Sequence, residues 1–120
     1  MDALANNISG FSNVAVGTNA LFNTTGNGNI GIGFAALRLN TSANDNIAIG
    51  FAALENNTTG TQNIALGSQA LINNTTGFFN MAYGRYSLTA NTTGAGNVAM
   101  GHGTLRDNLT GNDNVAIGGS

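Results

Sequence analysis

The chain has no cysteine, no proline and no tryptophan among its 120 residues. The lack of cysteine excludes disulfides, thiolate zinc sites and cysteine nucleophiles. Charge is scarce as well: 7% of residues are charged, against about 25% in an ordinary globular domain. The only basic side chains that carry a permanent charge are Arg38, Arg85 and Arg106, and the formal net charge is −2. Such a chain offers no positive field to a phosphate backbone or an anionic bilayer, so nucleic acid is not expected as a partner. No apolar run approaches the ~20 residues of a membrane helix, which argues against membrane insertion. The start, Met1-Asp2-Ala3-Leu4, lacks the basic and apolar regions of a signal peptide, so any export signal would lie outside this chain.

What fills the sequence is Gly (18 residues), Asn (21) and Thr (14), beside a 42% hydrophobic fraction made mostly of Ala, Ile, Leu and Val. So narrow a composition points to a repeat, and one is present. The segment Asn-x-Ala-x-Gly begins at Asn13, Asn29, Asn46, Asn63, Asn80, Asn97 and Asn114, with a first interval of 16 residues and later intervals of 17. Only Gly31 replaces the Ala. Counting from that Asn as position 1, position 9 is Leu throughout (Leu21, Leu37, Leu54, Leu71, Leu88 and Leu105, with Leu4 in a leading partial repeat), and position 8 is Ala, Ser or Thr. A second Asn reads as Asn7, Asn23, Asn40, Asn57, Asn74, Asn91 and Asn108, followed by Thr-rich residues and then Gly or Ala43. This alignment puts the missing residue of the 16-mer between Leu21 and Asn23. The units are a partial repeat over 2–12, full repeats over 13–28, 29–45, 46–62, 63–79, 80–96 and 97–113, and a partial repeat over 114–118. Gly119-Ser120 resembles a vector remnant, which suggests a segment taken from a longer fibre.

Positions 2 to 4 alternate large, small, large, with Val and Ile prominent, which is a strand pattern. Because both faces are apolar, the strand is expected to be covered on both sides, its Ala face lying where another backbone comes close. Asn-Thr-Thr-Gly is turn chemistry, since Asn and Gly tolerate positive φ and Asn bonds locally to nearby backbone. Short helical turns are conceivable at 35–37 and 52–54. One strand, one apolar pair and two turns make a natural coil of a solenoid. A coil cannot stand alone: its three large apolar residues contribute about 2 kcal/mol each, whereas ordering 17 residues costs on the order of 25 kcal/mol. The period does not fit hexapeptide helices, and calcium-binding nonapeptide rolls need an Asp in every turn. The expected fold is all-β, a parallel β-roll or β-solenoid of seven 17-residue coils forming a single repeat domain.

Asn46-Ile-Ala-Ile-Gly50, Asn63-Ile-Ala-Leu-Gly67 and Asn114-Val-Ala-Ile-Gly118 resemble the head repeats of trimeric autotransporter adhesins, and similar repeats occur in phage and viral tail fibres. The resemblance covers nearly the whole chain. It implies a left-handed roll, a homotrimer around a common axis, and an extracellular role at a cell surface or on a virion. The 17-residue unit is longer than those repeats, and the Leu with Asn-Thr-Thr-Gly differs from their outer strand. The expected function is a structural and adhesive head or shaft segment of a trimeric fibre, displaying its turns for multivalent attachment. A self-assembling solenoid filament is the alternative, and an ice-binding solenoid a more distant one.

For catalysis the inventory is thin, and no enzyme activity and no cofactor is expected. His102 is the single histidine and the acids are scattered over different repeat positions. Gly26-x-Gly28-x-x-Gly31 matches a dinucleotide fingerprint only in spelling, because a strand and not a helix should follow it. The Asn-x-Thr triplets are formal glycosylation acceptors, but turn geometry explains their recurrence. The repeated Asn13, Asn29, Asn46, Asn63, Asn80, Asn97 and Asn114 should stack as amide ladders, and the six Leu of the full repeats as a core column. Adjacent threonines such as Thr58-Thr59 would point to opposite faces if extended, unlike a flat ice-binding array. The repeat starting at Asn63 breaks the pattern with Phe78 and Phe79 at turn positions, and Arg85 and Tyr86 follow. These four are the candidate binding residues, suited to a host-surface protein or a glycan, whereas Tyr83 at position 4 reads as core.

Overall fold

The computed structural model describes residues 2–119; Met1 and Ser120, on which the readings of the chain start and of the vector remnant partly fall, lie outside the described residues. Each repeat contributes one short strand: β1 Val14–Val16, β2 Ile30–Ile32, β3 Ile47–Ile49, β4 Ile64–Leu66, β5 Met81–Tyr83, β6 Val98–Met100 and β7 Val115–Ile117. They form a single parallel sheet in chain order. Equivalent residues face one another across each pairing, as Ile47 does Ile64 and Ala48 does Ala65. The chain is an all-β parallel β-solenoid measuring 38 × 21 × 18 Å, with no helix among the described residues.

The Ala-Leu side of each coil is built from tight turns rather than a second strand or a helix. In the second full repeat, the Ala36 N–H reaches Gly33 O (3.4 Å), Arg38 N–H reaches Ala35 O (3.3 Å) and Asn40 N–H reaches Leu37 O (3.1 Å). Ala35 and Leu37, with φ of 56° and 53°, occupy the third positions of the first two of these turns, which is the type II pattern. The intervening N–H groups point along the stack, Leu37 to Ala53 O and Leu39 to Glu55 O, both at 3.0 Å. Donors thus alternate between closing a turn and bonding the next coil. A helical turn would aim all of them along its own axis, which is why the sites considered for helix at 35–37 and 52–54 are turns instead.

The core is thin and half polar. Leu21, Leu37, Leu54, Leu71 and Leu88 are fully buried against Ala36, Ala48, Ala53, Ala65, Ala70, Ala82 and Ala99. The Ala face of the strand therefore points into its own coil, and the large face points out. Within this chain the Ala face alone is covered, and the Val, Ile, Leu, Met and Tyr residues of the strands have no layer of the same chain over them. Tyr83 likewise stands on the outer face, half-buried, rather than in the core.

Beside the Leu column run two asparagine ladders. The side-chain amide and backbone N–H of Asn63 both donate to Asn46 Oδ1 (3.2 and 2.9 Å), and Asn80 repeats this onto Asn63 Oδ1 (3.1 and 3.0 Å). The second ladder runs through Asn40, Asn57, Asn74 and Asn91, linked at 2.8–2.9 Å. The two meet on one carbonyl per coil: Gly77 O accepts from Asn63 Nδ2 (2.8 Å) and from Asn74 Nδ2 (2.9 Å). All seven first-ladder residues from Asn13 to Asn114 are joined in this way. In the second repeat unit the slot assigned to Asn23 belongs to Thr24, whose hydroxyl accepts from Asn40 Nδ2 at 3.1 Å. Asn23 instead accepts from Asn6 on the exposed rim. Leu21 to Thr24 spans the same interval as Leu37 to Asn40, so the residue missing from the 16-mer lies between Thr25 and Gly26.

The Asn-Thr-Thr-Gly turns do not use positive φ at Asn or Gly. Their glycines are required by proximity: a Cβ on Gly77 would stand 2.5 Å from Gly94 O of the next coil. Positive φ falls at the Gly ending each strand, such as Gly67 (φ 140°), where a Cβ would stand 2.6 Å from Gly84 C. Among the described residues one ion pair, Arg38 Nε to Glu55 Oε1 at 2.8 Å, links two coils at the surface. Arg38→Met should lower stability by less than about 1 kcal/mol, a shift in melting temperature of no more than a few degrees.

Candidate binding surfaces

Three surface features stand out against a polar, nearly uncharged background. The largest is the outer face of the sheet, two large apolar side chains per coil over seven coils. Ile49, Met81 and Met100, in the middle strands, are each 41% exposed, and the end strands more so. The register places like residues above one another, so the face is one continuous strip. At its edge after the strand, position 6 carries Phe34 and Phe51, stacked with centroids 5.3 Å apart and planes 10° from parallel. Sequence reasoning does not single out these two rings; their 17-residue separation is the signal that finds them.

The four candidate binding residues fall into two groups on opposite sides of the strand. Arg85 and Tyr86 follow β5: Arg85 Nη2 donates to Tyr86 Oη at 2.7 Å, with the guanidinium carbon 4.5 Å from the ring centroid. His102, one coil on, meets Tyr86 edge to face at 5.9 Å. The arginine is thus held by its neighbour rather than by an acid. Phe78 and Phe79 precede β5 and pack edge to face, at 5.3 Å and 74°. They form one wall of an open cleft of about 450 Å3, completed by Thr93, Ala95, Gly96, Asn112 and Asp113.

The remaining sequence candidates are structural in their surroundings. The Gly26–Gly31 segment is a turn running into β2 with no helix after it. The first threonine of each pair spends its hydroxyl between coils, Thr58 Oγ1 donating to Thr75 O at 3.1 Å and Thr75 Oγ1 to Thr92 O at 3.2 Å. Its partners Thr59 and Thr76 are exposed. Among the described residues no group of three His, Cys, Asp or Glu side chains stands close enough to hold a metal ion, and no helix is long and apolar enough to cross a membrane. No protein-family model matches this chain, and no curated protein or solved structure matches it either.

Proposed function

We propose that this solenoid is a structural and adhesive segment, the head or shaft of a trimeric extracellular fibre on a cell surface or virion, with no enzymatic role. The observation that carries the reading is the outer face of the sheet. Seven strands spaced ~4.8 Å apart make a strip roughly 30 Å long, and an apolar surface of that extent marks an interaction site. The Ala face is already consumed inside the coil, so the large face is the one left for a partner. Every level of the stack presents a pair of large apolar or aromatic side chains. A partner with matching periodicity fits it best, and a second and third copy of this chain have that periodicity by construction. Three such faces meeting on one axis would bury Ile47, Ile49, Ile64 and Leu66 against their equivalents, with the polar turns outward. The resemblance of the strand motif to adhesin head repeats supports the same arrangement. Rigid coils then repeat any weak contact at fixed spacing, which converts low affinity into avidity.

The test is solution mass by light scattering over a concentration series, for the parent chain and for Ile47→Asp combined with Ile64→Asp. A discrete mass of three chains is expected for the parent. An unpaired buried charge costs about 3–5 kcal/mol, so the double variant should associate at least about 100-fold more weakly and run as a monomer. A parent that is monomeric at all concentrations sinks the fibre reading. Open-ended polymers would favour the self-assembling filament instead.

A further inference from the structure

We infer that the cleft between Phe78-Phe79 and Asn112-Asp113 is a saccharide subsite that takes the apolar face of a neutral hexopyranose ring. The cleft arises from three successive coils at positions 16 and 17. The upper coil carries two phenyl rings, the middle one only Ala95-Gly96, and the lower one Asn112-Asp113. The small middle pair leaves a notch beneath the ring wall, and the Asn112 and Asp113 side chains lean onto the middle coil to form its polar side. Its volume of about 450 Å3 lies within the ~300–1,000 Å3 of small-ligand sites.

The lining groups are unspent. Asn112 Oδ1 accepts the Ala95 N–H at 2.8 Å, which fixes the amide and leaves Nδ2 as a donor. Among the described residues the Asp113 carboxylate has no ion pair, and neither it nor the Thr93 hydroxyl has a side-chain hydrogen bond. A carboxylate accepts two hydroxyl hydrogens and an amide NH2 donates to ring or hydroxyl oxygens, which is the demand a sugar edge makes. The opposite face of a pyranose is a row of C–H bonds suited to a phenyl face. Gly96 has φ of 70°, and Asp113 Oδ1 lies where a Cβ at Gly96 would stand, so the glycine makes room for the carboxylate to lean over the middle coil at the side of the notch. The same succession occurs four coils earlier, with Phe11 over Asn27-Gly28 over Asn44-Asp45. There the middle residue is Asn27, whose Oδ1 accepts the Phe11 N–H at 3.0 Å and fills the place that Ala95 leaves vacant. A cationic ligand is the rival for an acid beside two rings, but the rings pack edge to face on each other at 74° and do not stand as the parallel walls of a cage.

This inference does not depend on the trimer, and its test reads a different property. Saturation-transfer NMR titrations would use the methyl pyranosides of glucose, galactose and mannose, N-acetylglucosamine, and choline chloride as the cationic comparison. At least one pyranoside should bind, with affinity reduced about tenfold or more by the combined Phe78→Ala and Phe79→Ala changes and by Asp113→Asn. Ile8→Ala, exposed in the leading partial repeat, should leave it unchanged. All the altered side chains are exposed, and thermal melts would verify that each variant stays folded. No transfer to any pyranoside, equal transfer in parent and cleft variants, or binding of choline alone would each overturn the inference.

Discussion

Asn63→Ala should cost about 3–6 kcal/mol, and Asn63→Asp at least as much, in an equilibrium denaturant or thermal melt. Asn63 is fully buried. Its Nδ2 donates to Asn46 Oδ1 and to Gly77 O, and its Oδ1 accepts both the backbone N–H and the side chain of Asn80. Alanine leaves the Asn80 N–H without its acceptor, at roughly 1–3 kcal/mol, takes one of two donors from each of Asn46 Oδ1 and Gly77 O, and leaves a cavity in a fully buried site. Aspartate is closest in shape and keeps the acceptor for Asn80, but it turns an oxygen toward Gly77 O and Asn46 Oδ1 and buries a charge with no counter-ion. An isosteric change that is at least as harmful as truncation separates a hydrogen-bond ladder from simple space filling. Because each coil touches only its neighbours, a lesion here divides the stack near its middle. The same change at the half-exposed Asn114, bonded on one side only, should cost about a third as much. If Asn63→Ala melts within 2–3 °C of the parent at equal protein concentration, the ladder does not hold the coils together.

At Leu71 the informative comparison is between alanine and isoleucine. Leu71→Ala removes a fully buried side chain and should cost about 2–5 kcal/mol through lost burial and the cavity left behind. Leu71→Ile conserves volume and in most cores would cost less than about 1.5 kcal/mol. Here the residue has φ of 53°, a conformation that a β-branched side chain rarely tolerates. Isoleucine should therefore be about as destabilising as alanine, at roughly 3 kcal/mol, and a mild melt for Leu71→Ile would refute the assigned backbone. Every repeat carries its Leu in this state, from Leu4 at 56° to Leu105 at 51°. The left-handed conformation costs about 1–2 kcal/mol per non-glycine residue, and the burial of a Leu, at about 2 kcal/mol or more, offsets it.

These two sites also measure how far the residues alone lead. Leu71 is legible as core from its recurrence, but its positive φ is not, because the third position of such a turn normally favours Gly. Asn63 is legible as a ladder residue from its spacing. The second ladder is less so: Asn23 and Thr24 are neighbours, both polar, and a one-residue gap can be slid past either without disturbing the pattern. Only the bond from Asn40 to Thr24 sets the register. Among the candidate binding residues, Phe78 and Phe79 stand out as large rings in a turn. Their cleft depends on what lies one and two coils away, a relation that spacing can suggest but only the stacked coils realise.

By itself the sequence determined the period, the strand, the Leu column and the parallel stacking, because a repeat that cannot bury its apolar residues alone has to lay each unit on the next. Tertiary structure decided which strand face is inner. Alternation divides large from small residues without stating which side faces the coil, and both sides are apolar. A 17-residue coil whose interior already holds Leu71 and Ala70 beside two asparagine ladders has room for Ala65 and none for Ile64 and Leu66. The large residues are therefore turned outward, and that packing limit gives the protein its long apolar face.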